Sequence, residues 1–81
     1  MVIETISDVY SAINPIPAML TSKGKVNPEV SLEIRANAEI QINMNWVKDT
    51  GHHDWDRQYK VFTGTADQAL EKALAFIAEL P

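Results

Sequence analysis

The sequence predicts an α+β fold: a three-stranded antiparallel meander with N- and C-terminal helices packed on one of its faces, in the order α-β-β-β-α and in two layers. Three observations carry this. Apolar residues recur at helical spacing over residues 3–13 and again over 66–80. Residues 30–47 instead alternate apolar and polar side chains, the period of half-buried strands. A third alternating run follows at 57–63. A chain of 81 residues is sized for a single domain, 1–81.

In the first helix Ile3, Ile6, Val9, Tyr10 and Ile13 form the apolar stripe, with Glu4, Ser7, Asp8 and Ser11 between them. Asn14-Pro15 ends or kinks it, because proline pushes the residue before it out of the α region. Ile16-Pro17-Ala18-Met19-Leu20 continues as a short turn or a second helical piece. Lys23-Gly24-Lys25 reads as a turn, and Asn27-Pro28 as the entry to a strand.

Val30, Leu32 and Ile34 then point one way, and Ser31, Glu33 and Arg35 the other. Ile40, Ile42, Met44 and Trp46 alternate with Glu39, Gln41, Asn43 and Asn45. Matching the apolar faces sets Ile34 opposite Ile40 and Arg35 opposite Glu39, which leaves the loop Ala36-Asn37-Ala38. Asn37 tolerates positive φ and Ala38 resists it. In the third strand Tyr59 and Val61 are expected to face the core, near Trp46 and Met44, with Gln58, Lys60 and Phe62 facing out. The link from Lys48 to Asp56 is then a long hairpin loop. Thr65 followed by Gln68 is the signature of a capping box. The helix it opens has a broad apolar face of Ala66, Ala69, Leu70, Ala73, Leu74, Ile77 and Leu80.

Composition narrows the chemistry. Hydrophobic residues make up 46% and charged residues 22%, an ordinary globular balance. No cysteine is present, which excludes disulfides, thiol catalysis and cysteine-ligated zinc. No apolar run reaches the ~20 residues of a membrane span, and the N-terminus lacks the pattern of a signal peptide. A cytoplasmic location without membrane contact is the expectation. The net charge is −4, from eleven acids against seven bases, and no lysine–arginine cluster is available to displace counterions from phosphate. No glycine-rich phosphate loop or Gly-x-Ser-x-Gly motif occurs. No cofactor is called for.

Two stretches are candidate sites. Asp49-Thr50-Gly51-His52-His53-Asp54-Trp55-Asp56 gathers both histidines of the chain with three carboxylates. His52, His53, Asp54 and Asp56 are residue types that ligate transition metals or act as acids and bases. Adjacent histidines on an extended segment point to opposite sides, however, so an ordinary polar hairpin tip is the favoured reading of the stretch. Trp55 either folds back on Trp46 and Tyr59 or anchors a partner. The second stretch is the outward sheet face, with Ser31, Glu33, Arg35, Gln41, Asn43, Asn45, Lys60 and Phe62. On the expected register Ser31, Asn43 and Phe62 lie side by side, with Asn45 beside Lys60. Phe62, Asn43, Asn45, Gln41 and Trp55 are the candidate interaction residues.

The order of elements is similar to that of the double-stranded RNA-binding domain, which also sets two helices on one sheet face. The resemblance is one of topology over the whole chain and carries no motif. It implies RNA binding through lysines at the start of the last helix, where this sequence has Ala66, Asp67, Gln68 and Ala69.

The leading expectation is a small cytoplasmic interaction and oligomerisation module without catalytic activity. Its sheet face or edge would bind a second copy or a further protein partner, because a small core gains from assembly. The alternative is a metal-dependent or acid–base enzyme using the His52–Asp56 loop. An RNA-binding domain, by topology alone, is the third.

Overall fold

A computed structural model describes residues 6–47 and 57–81. The elements run α1 (Ile6–Ile13), α2 (Ile16–Ser22), β1 (Glu29–Ile34), β2 (Glu39–Val47), β3 (Arg57–Thr65) and α3 (Ala66–Glu79). The sheet is antiparallel throughout, in the order β1-β2-β3. This is the expected small α+β meander flanked by helices.

The start of the chain folds as its prolines dictate. α1 closes with the Asn14 amide donating to the Tyr10 carbonyl, and α2 opens past Pro15 with Pro17 in its first turn, where a missing N–H costs no helical bond. The apolar piece after Pro15 is thus a second helix. It buries Ile16 and Leu20 completely. Gly24 takes φ +85° in the turn that leaves it, while the Lys23 ammonium donates to the Leu80 carbonyl at 2.9 Å and ties α2 to the end of α3.

The β1–β2 register is the one that face matching requires, with Ile34 opposite Ile40 and Leu32 opposite Ile42. The Arg35 amide donates to the Glu39 carbonyl, and the Glu39 amide to Ala36. Asn37 and Ala38 both sit at positive φ, +60° and +62°, as the central residues of a type I′ turn must. Ala38 therefore accepts a conformation that its Cβ disfavours by about 1–2 kcal/mol.

β3 departs from expectation by one residue. Gln58 lies opposite Trp46, Lys60 opposite Met44 and Phe62 opposite Ile42. Phe62 therefore faces the helices and packs on the core, whereas Tyr59 and Val61 face away and are 62% and 52% exposed. The one-residue shift moves every side chain of the strand to the opposite face. It also corrects the expected neighbours: Asn43 pairs with Val61, and Asn45 with Tyr59.

The core is laid down on β2, whose Ile40, Ile42, Met44 and Trp46 are all buried, against Val9 and Ile13 of α1, Ile16 and Leu20 of α2, and Ala69, Leu70, Ala73 and Ile77 of α3. The three small or γ-branched residues of α3 let the helix lie close to the sheet. Phe76, which the seven-residue apolar face of α3 omitted, completes the layer. Its ring stacks on Trp46 at 6.1 Å between centroids and meets Phe62 at 5.6 Å. Two expectations fail at the margins. Tyr10 is 52% exposed beyond the core-facing stripe of α1, and Ile34 is 67% exposed although it points to the core side, where Val30 and Leu32 but not Ile34 pack on the core.

Candidate interaction surface

The sheet face opposite the helices is built from alternate residues of all three strands. Its cross-strand rows are Glu29–Asn45–Tyr59, Ser31–Asn43–Val61 and Glu33–Gln41–Thr63. On β2 the three amides that the sequence singled out stand in line, and they are ordered by hydrogen bonds. Arg35 donates to Gln41 Oε1 at 2.7 Å, Gln41 Nε2 to Asn43 Oδ1 at 2.7 Å, and Asn43 Nδ2 to Ser31 Oγ at 3.4 Å. At the other end Arg57 donates from Nε to Asn45 Oδ1 at 2.5 Å and from Nη2 to the Asn27 carbonyl. Arg57 reaches Glu29 at 3.7 Å, and Arg35 reaches Glu33 at 3.8 Å. The Arg35–Glu33 pair is long and exposed on both sides and contributes about 0–1 kcal/mol, whereas the Arg57 side chain is mostly covered and only Glu29 is exposed. The effect of both pairs here is to hold the amides in fixed orientations.

Gln41, Asn43 and Asn45 thus lie where the sequence placed them. Phe62 does not, and Tyr59 and Val61 take its place as the apolar residues of this face. The orientation was legible in part: Phe62 is the large side chain of the strand that has no polar atom, whereas Tyr59 carries a hydroxyl that water can satisfy. Trp55, His52, His53, Asp54 and Asp56 lie outside the described residues. Among the described residues no group of three or more metal-ligating side chains is placed to hold an ion.

The two edges of the sheet differ. Because Arg35 bonds Glu39, the residues of β1 that turn their backbone groups towards β2 are Glu29, Ser31 and Glu33. Val30, Leu32 and Ile34 therefore direct their N–H and C=O groups outward, and among the described residues none of these is bonded. On β3 the outward groups belong to Tyr59, Val61 and Thr63. There the Thr63 carbonyl accepts from the Lys72 ammonium at 3.3 Å. Lys60, on the core side of β3, lays its ammonium over the Phe76 ring at 5.7 Å. An inward-pointing lysine at a sheet edge disfavours further strand pairing. The β3 edge is guarded and the β1 edge is open.

Beside β1 lies a cleft of about 260 Å³, between Tyr10 and Ser11 of α1, Asn14 just past its end, and Val30, Ser31 and Leu32. The first turn of α3 presents Asp67 where an RNA-gripping helix would present lysines. Among the described residues no helix is long and apolar enough to cross a membrane.

These features define a small α+β protein with one half-open sheet. Compared with known proteins, the chain matches no family model, no curated protein and no solved structure.

Proposed function

We propose that the protein is a small interaction module that self-associates, and that its sheet is the surface it uses. The observation that carries this reading is the place of its exposed apolar side chains. The most exposed are Ile34 and Tyr59, at 67% and 62%, and both are on edge strands of the same sheet, with Val61 beside Tyr59. Isolated exposed apolar residues are commonplace. Here Tyr59 and Val61 flank a polar ladder whose hydrogen bonds are already made within the chain, so covering it leaves few groups unsatisfied, while Ile34 stands at the β1 edge on the other face. A small core supplements its stability by assembly, as binding of the folded form to itself raises its apparent stability.

Native mass spectrometry, with sedimentation equilibrium over a concentration series, tests the reading. A dimer or higher assembly that forms with rising concentration supports it. A monomer at every concentration refutes it. The same spectrum reports a transition-metal increment, which would direct attention to His52, His53, Asp54 and Asp56 as the basis of an enzyme instead.

A further inference from the structure

We infer that β1 pairs antiparallel with β1 of a second copy about a two-fold axis through Leu32, joining two three-stranded sheets into one of six strands. The inference rests on the reading that the chain self-associates through its sheet, and it names the edge and the register.

The edge follows from the contrast already drawn. β3 presents a capped carbonyl at Thr63 and a charge at Lys60, whereas β1 presents backbone groups of Val30, Leu32 and Ile34 that no other described residue bonds. The register follows from charge and apolarity. A two-fold axis relates residues of like parity, so the centre can fall at any residue of β1. A centre at Glu29 pairs only the start of the strand, and one at Val30 sets Leu32 against Pro28, which has no N–H to donate. A centre at Ser31 sets Glu29 against Glu33 of the other copy, and one at Glu33 sets Glu33 against itself. A centre at Ile34 spends the strand against the Ala36–Ala38 turn. A centre at Leu32 sets Leu32 against Leu32, Val30 against Ile34, Ser31 against Glu33, and Glu29 against Arg35. The outward backbone groups of Val30, Leu32 and Ile34 then face one another as hydrogen-bonded pairs, each closing two N–H···O=C bonds.

This arrangement accounts for two features that the isolated chain leaves without a role. Ile34 points to the core side yet stands in water. In the pair it lies beside Val30 of the other copy, at the mouth of the cleft that Val30 and Leu32 line with α1. The interface is isologous, so it closes at two copies and exposes β3 at both ends of the joined sheet.

Three variants test this by sedimentation equilibrium, each at a side chain exposed enough to spare the fold. Ile34→Lys places an inward charge on the edge and is expected to weaken dimerisation at least about tenfold. Glu29→Arg and Arg35→Glu each oppose like charges twice across the axis and should weaken it by roughly tenfold, while the double variant returns to within about threefold of the parent. Register is read separately by mixing Ser31→Cys chains with Glu33→Cys chains: opposite residues of a non-hydrogen-bonded pair lie about 4.5 Å apart between Cα atoms, within disulfide range. Since the parent has no cysteine, a heterodimeric crosslink under mild oxidation supports the register. A self-associating parent whose Ile34→Lys variant is unchanged and whose mixed cysteines stay uncrosslinked overturns the β1 pairing and leaves self-association standing; loss of assembly in Tyr59→Ser would then assign it to the open face. A parent that stays monomeric overturns both.

Discussion

The placement of β3 makes a sharp demand on two neighbouring residues. Phe62 packs on Phe76 and the core, and Val61 stands on the opposite face at 52% exposure. Truncating a fully buried phenylalanine costs about 3–5 kcal/mol. Phe62 is half-buried, so about half of that applies, and loss of its edge contact with Phe76 adds a further ~0.5–1 kcal/mol. Phe62→Ser should therefore destabilise the protein by about 2–3.5 kcal/mol. In a chain of this size each kcal/mol shifts Tm by roughly 4–8 °C, so the drop is on the order of 10–20 °C. Val61→Ser removes a side chain that is mostly in water and should cost under about 1 kcal/mol. Urea and thermal unfolding followed by circular dichroism, at low micromolar protein so that self-association contributes nothing, would measure both. A Val61 variant as damaged as the Phe62 variant, or more so, would show that the strand faces the other way, with Tyr59 and Val61 inward.

Three further changes probe the turns and the cap. Ala38→Gly relieves a left-handed alanine in the β1–β2 turn and should stabilise by about 0.5–1 kcal/mol, the strain relief exceeding the added entropy of the unfolded chain; a lower Tm would refute the turn geometry. Thr65→Ala removes the hydroxyl that accepts from the Gln68 amide and should lower stability by about 1 kcal/mol in urea titration, with Thr65→Ser largely restoring it. Gly64→Ala should cost about 2 kcal/mol or more, because φ there is +135° and a Cβ would stand 2.9 Å from Gln68 Oε1, the atom that closes the capping box on the Thr65 amide. Unchanged unfolding in Gly64→Ala would mean that the junction relaxes freely.

The elements with two independent signals were legible in the sequence. α3 has both helical periodicity and a Thr-x-x-Gln cap, and both are present. The β1–β2 hairpin has matched parity on two strands, and the pairing of Ile34 with Ile40 follows. β3 offered only its own alternation, and that alternation is ambiguous. Tyr59 and Val61 hold one parity, while Phe62 competes with them from the other. An edge strand resolves the contest in favour of one large residue, since its inner face is only half covered. The aliphatic stem of Lys60 then suffices over Phe76, where a central strand would require an apolar side chain. Phe76 itself had a signal, since it lies three residues beyond Ala73 and four before Leu80, on the same side of the helix. The amides of the open face were legible because they follow from β2 alone. Their apolar neighbours were not, because they depend on the phase of β3. The inequality of the two edges was invisible to the sequence, for it resides in where Lys60 and Lys72 come to rest.

That inequality predicts how assembly is limited. If β1 alone is open, each copy has one adhesive edge and growth stops at a pair. Lys60→Val removes the inward charge from β3 and installs a strand-favouring side chain, losing a cation–π contact with Phe76 of about 0.5–1 kcal/mol at an exposed site. With only the Lys72 bond to the Thr63 carbonyl left to guard β3, pairs joined through β1 can join again through β3, so the assembly no longer closes. The expected result is mass beyond the dimer that grows with concentration, seen by light scattering. Adding Ile34→Lys to Lys60→Val should return the protein to closed pairs, now joined through β3. If Lys60→Val leaves the mass distribution unchanged, Lys60 does not guard that edge, and the choice of β1 over β3 then rests on the Lys72 bond to the Thr63 carbonyl alone, which Lys72→Ala added to Lys60→Val would test in the same way.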